Sequence, residues 1–210
     1  MRYLTICDVE IPLVEGPIGI SCSGGADSSL LLYILMANIK EPIHIFTMAK
    51  NTNFRTSAIV SGKVIEKCIQ LTNNVNIIHH TVYSEHQNID NLFEYPTSLF
   101  EDNKINWIYT GITSNPPKDI SDGFITPEEN TEQECRDADL KKEIFNFHFI
   151  RPFININKKT IKNIYQELGL FDTLFPETRS CEHVPDSVEY YEHCGNCWWC
   201  REREWGFGKL

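Results

Sequence analysis

Seven consecutive residues, Ser23-Gly24-Gly25-Ala26-Asp27-Ser28-Ser29, limit what this chain can fold into more than any other stretch. Residues 17–22 before them are short and apolar enough for a buried strand. Residues 28–37 after them are almost all apolar, with the length and leucine content of a buried helix. A strand, a glycine turn and a helix N-terminus in that order make an anion site, because free backbone N–H groups point outward and the helix dipole favours negative charge. Gly24 and Gly25 let the backbone approach an anion with no Cβ in the way. Ser23, Ser28 and Ser29 add hydroxyl donors. Asp27 repels an anion, so its expected work is to hold Mg2+ beside phosphate oxygens or to shape the loop. The run lacks the Lys-Ser/Thr ending of a Walker loop.

The surrounding pattern supplies a fold for this loop. Residues 43–48 read as a second strand and 75–82 as a third, with 107–112 as a fourth that ends at Gly111. Between them, residues 57–71 place Ile59, Val60, Val64, Ile65, Cys68, Ile69 and Leu71 at helical spacing, and 93–100 belong to a further helix. The alternation predicts an α/β fold, a parallel sheet with helices on both faces. Ligands of such sheets sit at the carboxyl ends of the strands, which brings Thr47, Met48, Thr110 and Gly111 toward the loop. Backbone at Thr47 and Met48 is the candidate adenine contact, with plain strand ends as the alternative.

Residues 113–140 are rich in Pro, Asp, Asn and Glu and read as a long irregular segment, expected to be a mobile substrate lid. A helix then runs from an N-cap at Asn157 to Leu168 and stops at Gly169. Lys158 in its first turn opposes the helix dipole, so it either meets a phosphate or is a solvated surface lysine.

A chain of 210 residues suits a single domain over 1–210, with an α/β nucleotide-binding core over 14–150 and a helical C-terminal region over 151–210. The net charge of −10 argues against direct nucleic-acid binding and for small-molecule or protein substrates. No apolar run reaches the roughly 18–20 residues of a membrane helix, and the first residues lack the pattern of a signal peptide, so a cytoplasmic location is expected.

Eight cysteines in such a chain point to metal binding. Cys181, Cys194, Cys197 and Cys200 are spaced C-x12-C-x2-C-x2-C, and four converging thiolates suit a structural Zn2+ that staples the tail to the core. An iron–sulfur cluster is the alternative ligand. His183 and His193 are expected at the surface, and Cys7, Cys22, Cys68 and Cys135 as ordinary cysteines. Trp198, Trp199, Trp205 and Phe207 form an aromatic tail expected to pack within the chain; packing on a second subunit, a homodimer, is the other option.

The loop at Ser23–Ser29 resembles the Ser-Gly-Gly-x-Asp-Ser loop of N-type ATP pyrophosphatases, which activate a carboxylate or carbonyl by adenylation. The tail Thr178-Arg179-Ser180-Cys181, then Cys194-Gly195-Asn196-Cys197-Trp198-Trp199-Cys200 with Gly206-Phe207, resembles the zinc-binding tail of 7-cyano-7-deazaguanine synthases. The helix from Lys158 to Gly169 is similar to a helix of that family. The resemblance implies ATP and Mg2+ bound by Ser23, Gly24, Gly25, Asp27, Ser28 and Ser29, phosphate met by Lys158, and zinc held by the four cysteines. It also implies 7-carboxy-7-deazaguanine and ammonia as substrates and a nitrile as product.

One departure stands out. The family's Asp-Tyr-Ser-Gly-Tyr-Pro-Asp-Cys-Arg segment is replaced after Gly111 by Ile112-Thr113-Ser114-Asn115-Pro116-Pro117-Lys118, with an echo only at Cys135-Arg136-Asp137. Glu182 also stands where the family has an aromatic. The alternatives are therefore an enzyme that stops at the amide or joins a deazaguanine carboxylate to another amine, a tRNA-thiolating pyrophosphatase using Cys22 and Cys135, and a nucleotide-binding module without turnover.

Overall fold

The computed structural model describes residues 1–50, 55–84, 90–124, 136–181 and 192–210. The chain opens with a hairpin, β1 (Arg2–Ile6) and β2 (Val9–Leu13), paired antiparallel with Ile6 opposite Val9. Its two-residue turn is Cys7-Asp8, both at positive φ (48° and 60°), the conformation whose twist matches a hairpin. The hairpin carries Ile6, Val9, Ile11 and Leu13 into the core.

β3 (Ile18–Ser21), α1 (Ala26–Asn38), β4 (Ile43–Lys50), α2 (Arg55–Thr72), β5 (Ile77–Ser84), α3 (Asp90–Glu101) and β6 (Trp107–Thr110) then alternate as expected. A short α4 (Lys118–Ser121) precedes the two-residue strands β7 (Phe145–Asn146) and β8 (Phe149–Ile150). α5 (Lys158–Glu167), a 3-10 turn at Phe175–Glu177 and α6 (Trp198–Phe207) complete the chain.

The main sheet has six strands in the order β5-β4-β3-β6-β8-β7, parallel throughout except for β7, which pairs antiparallel with β8. The central strand β3 is buried on both faces, with Ile18 and Ile20 fully enclosed, as a parallel strand between helical layers must be. Along β4 the side chains divide by parity. Ile43 and Ile45 join the large core beside α1 and α2, while Phe46 joins a smaller cluster with Leu99, Ile105 and Ile108 on the α3 side. The expected parallel sheet with helices on both faces therefore holds. α1 is apolar all round, with Leu30, Leu31, Leu32 and Leu35 fully buried, which suits a central helix rather than a surface one.

The core is continuous from one end to the other: a single apolar cluster contains Ile6 and Phe207. Tyr109 of β6 ties the hairpin to the sheet by donating its hydroxyl to the Pro12 carbonyl at 2.8 Å. At the other end, Phe207 packs on Phe175 and Tyr165, and the buried Trp198 lies edge-on to Phe124, so the aromatic tail packs within the chain. No helix among the described residues is long and apolar enough to cross a membrane.

Candidate active site

The chain moves outward from β3 to β4 and β5, then returns to the far side of β3 to lay down β6 and β8. The strand order thus reverses between β3 and β6. The carboxyl ends of the strands at such a reversal are where sheets of this kind bind ligands. The run from Ser23 to Ser29 is the loop that follows β3, and the backbone from Gly111 onward is the one that follows β6.

The loop is built to leave donors open. Gly25 caps α1 without any side-chain hydrogen bond, and the first intrahelical bond is Ser29 N–H to the Gly25 carbonyl at 3.1 Å. The N–H groups of Ala26, Asp27 and Ser28 therefore precede the helical ladder, and no acceptor takes them among the described residues. The loop is tied by its own hydroxyls: Gly25 N–H donates to Ser23 Oγ, Ser23 N–H to Ser28 Oγ, and Ser28 Oγ to the Gly25 carbonyl, each at 3.3 Å. Gly24 sits at φ +80°, and a Cβ there would run into Val60 and the backbone of Ser61. Gly111 presses on the loop from the opposite wall, where a Cβ would lie 2.7 Å from the Ser28 nitrogen. The two loops therefore touch through a glycine, as the sequence pattern suggested.

Two expected adenine contacts differ from each other. Thr47 is fully buried, and its hydroxyl is spent inside the protein, donating to the Cys22 carbonyl at 3.0 Å and sharing hydrogen bonds with Ser61 (2.7 Å) and His79 (3.0 Å). Only its backbone is left for a ligand. Met48 is half-buried at the next position along the strand.

Asp27 and Lys158 meet. Asn157 caps α5 as predicted, accepting from the N–H groups of Lys159 and Thr160. That turn delivers Lys158, 6% exposed, into an ion pair with Asp27 Oδ2. The solvated-lysine reading is thereby replaced. The pair outweighs the unfavourable helix-dipole position because Asp27 lies in direct contact. Burial pushes the Asp27 carboxyl above its usual range, with Lys158 opposing the shift. Asp27 Oδ1, Ser29 Oγ and Thr110 Oγ1 are buried with no hydrogen-bond partner. Oxygen donors in want of a partner beside an anion cradle fit a hard dication such as Mg2+ and the phosphate oxygens it accompanies.

Two residues that sequence reasoning passed over complete the array. Glu202 of α6, fully buried, forms an ion pair with Arg136 and places Oε2 3.7 Å from Lys158 Nζ. Arg136 in turn donates through Nε to the Thr113 carbonyl at 2.8 Å. No sequence pattern marked Glu202, and only the Cys135-Arg136-Asp137 echo hinted at Arg136.

The segment expected to be a lid is anchored at both described ends. Ser114 N–H donates to the Ile156 carbonyl and Asn115 N–H to that of Arg136. Residues 125–135, including Cys135, lie outside the described residues, as do Glu182 and His183. Cys22 is buried and its thiol is pushed up by that burial, which suits a structural cysteine and not a persulfide carrier. Cys68 is buried as well, whereas Cys7 is exposed at the hairpin turn.

The four tail cysteines converge. Their Sγ atoms all lie within 4.8 Å of one another, and two pairs, Cys181–Cys197 and Cys194–Cys200, are 3.9 Å apart. Four sulfurs tetrahedral about one ion at ~2.3 Å stand ~3.8 Å from one another, so the cluster fits a zinc motif. Cys194 and Cys197 donate their N–H groups to Cys181 and Cys194 sulfurs at 3.5 and 3.4 Å. Hydrogen bonds from Cys197 and Cys200 hold the Cys181 thiol far below its ordinary value, while Cys197, as their donor, is pushed up to about 11. Four thiols this close cannot all ionise without a cation among them. His193 is not at the surface as expected. It is half-buried, accepts from Ser180 N–H at 3.4 Å, and is pushed down to about 4 by burial.

With the geometry in place, the comparison with protein families is decisive. The family model described as queuosine biosynthesis protein QueC matches residues 42–210. The chain belongs to the QueC family. That family is described by its place in queuosine biosynthesis. The match takes in Lys158 and all four tail cysteines but begins after the phosphate loop, which rests on its own geometry. No curated protein matches the chain. Solved structures of similar shape include the U34-tRNA thiolase NcsA from Methanococcus maripaludis with its 4Fe-4S cluster, at 14% identity and a TM-score of 0.46 over 84% of this chain. The chain spans 62% of that protein's length. An NMN synthetase from Francisella tularensis is 13% identical, with a TM-score of 0.46, over 92% of this chain and 77% of its own.

Proposed function

We propose that this QueC-family chain converts 7-carboxy-7-deazaguanine and ammonia to 7-cyano-7-deazaguanine at the expense of ATP. The observation that carries the reading is the open N-terminus of α1, with three N–H groups that no acceptor takes among the described residues, beside the Asp27–Lys158 ion pair. That arrangement suits a pyrophosphate leaving group.

In the proposed sequence the substrate carboxylate attacks the α-phosphorus of ATP, and pyrophosphate leaves into the loop. Ammonia then adds to the acyl carbon, loses a proton and expels AMP, leaving the amide. The amide oxygen attacks the α-phosphorus of a second ATP and expels pyrophosphate, and the adenylated imidate then loses AMP and its two N–H protons to yield the nitrile. The protein's part is to bind and orient. N–H groups of the loop hold developing negative charge, Ser23 and Ser28 fix the loop, Ser29 faces the phosphates, and Lys158 neutralises an oxygen of the transferred group. Gly111 and the backbone of Thr47 and Met48 bound the nucleotide. Mg2+ would be held by Asp27 and would screen the phosphates. Zn2+ would be held by Cys181, Cys194, Cys197 and Cys200, with no vacant position and therefore a structural role. A cytoplasmic location and a single catalytic unit over 1–210 belong to the same reading, the latter supported by the apolar cluster that contains both Ile6 and Phe207.

The test is product mass after incubation with ATP, Mg2+, ammonium and 7-carboxy-7-deazaguanine, with pyrophosphate measured alongside. The nitrile is expected; no conversion by protein that binds ATP would sink the substrate assignment. A second reading is favoured by the wall after β6. Thr113, Ser114 and Asn115 are buried there and clamped to Arg136, and they stand where the family's substrate segment would run. Under it the enzyme stops at the amide or joins the carboxylate to another amine, and an amide that accumulates would favour it.

A further inference from the structure

Glu202 is costly where it stands. Its carboxylate is fully buried, one oxygen is taken by Arg136, and the other, Oε2, has no hydrogen-bond partner. A buried acceptor left unused destabilises a fold, so its presence calls for a use. Lys158 Nζ lies 3.7 Å from that idle oxygen while bonded to Asp27 on its other side. Asp27 likewise keeps one oxygen without a partner. Lys158 therefore stands between two carboxylates, engaged by one and within ion-pair reach of the other.

The closeness is built into the helices. Gly206 lies against the Cβ and backbone of Lys158, where no larger residue fits. Glu202 is one helical turn earlier on the same face of α6, so the glycine contact sets the carboxylate beside the ammonium. The resulting chain of alternating charge, Asp27, Lys158, Glu202, Arg136, runs from the phosphate loop through α5 and α6 to the wall after β6.

We propose that Glu202 is a positioning residue for Lys158. It takes hold of the ammonium when Asp27 turns to the nucleotide and its cation, and with its other oxygen it keeps Arg136 on Thr113. The inference rests on the reading of Asp27 and Lys158 as nucleotide groups. Without Glu202 the lysine has, among the described residues, Asp27 alone as a carboxylate partner, and the two would compete with the ligand for each other.

The experiment is a calorimetric titration of the full chain with Mg·ATP, in the wild type, Glu202→Gln, Lys158→Ala and the double variant. Each single change is expected to weaken binding about tenfold, with the double variant no weaker than Lys158→Ala, because contacting residues in one network are not additive. Losses that multiply mark a merely structural glutamate and overturn the proposal. Wild-type affinity in Glu202→Gln beside a weakened Lys158→Ala also overturns it. Unchanged affinity in Lys158→Ala removes the proposal together with the reading beneath it, and so identifies which of the two failed. A spectroscopic signature accompanies the titration. The proton–nitrogen signal of the Lys158 ammonium should stay protected from water after Mg·ATP is added to the wild type and broaden away in Glu202→Gln. If Glu202→Gln does not fold, Glu202→Asp takes its place in the cycle: the charge stays, the reach is lost, and the same coupling is expected.

Discussion

At the phosphate loop, the N–H groups of Ala26, Asp27 and Ser28 and the oxygens Asp27 Oδ1, Ser29 Oγ and Thr110 Oγ1 have no partner among the described residues. At the cysteine tail, four sulfurs lie within 4.8 Å of one another, and those of Cys181 and Cys194 already accept N–H groups from their own chain. The loop can stay open because it is anchored from behind: α1 is apolar all round and enclosed by the core. The tail has little such backing. Its helix carries four charged residues, Arg201, Glu202, Arg203 and Glu204, and no aliphatic side chain, and it relies on Trp198, Phe207 and the thiol cluster. Polar groups can wait for a large ligand where apolar burial has fixed the backbone, and must close on a small ion where it has not.

The largest expected effect comes from removing a thiol. Cys200→Ser should lose the metal, lower the melting temperature by about 10 °C or more and expose residues after Thr178 to protease. Metal analysis and limited proteolysis check this, and a tail that stays folded without metal would break the contrast. Next comes Gly111→Ala, whose methyl would lie 2.7 Å from the Ser28 nitrogen. It should abolish measurable Mg·ATP binding in a calorimetric titration while leaving the metal in place. If binding persists, the loop is less tightly braced than its geometry indicates.

A smaller effect is expected at Asn157→Ala, which removes the cap of α5 and should cost about 1 kcal/mol in urea unfolding. The smallest is a pH effect in the sheet behind the loop. His44, His79 and His80 cluster on β4 and β5, and burial pushes all three below their usual value of 6.5. The unfolded chain takes up these protons first, so their contribution is complete above about pH 6.5 and is lost as the pH falls below it. The urea midpoint should be lower at pH 5 than at pH 7, and His80→Gln should reduce the difference.

The loop, the parallel order of the sheet, the Asn157 cap and the cysteine cluster were legible because each is a local pattern with a local cause. The hairpin at the N-terminus was not. Leu4, Ile6, Val9, Ile11 and Leu13 do alternate, yet its turn uses Cys7 and Asp8 at positive φ where glycine or asparagine would have announced it. Glu202 and Arg136 were illegible for a different reason. Glu202 is placed by the packing of α6 on α5 through Gly206 and Arg136 by its contacts with Glu202 and Thr113, and no spacing within either segment encodes them. Lys158 lay between these cases. Its awkward place at a helix start was visible, and the partner that accounts for it is 131 residues away.

The chain of buried charges has a bearing on how the nucleotide arrives. Asp27 and Glu202 cancel Lys158 and Arg136, so the array has no net charge, inside a protein whose total is −10. Nothing here draws a polyanion in from a distance. Encounter with an anionic nucleotide should be slowed by the total charge and should quicken as salt screens it, with attraction beginning only at contact, from oriented backbone dipoles.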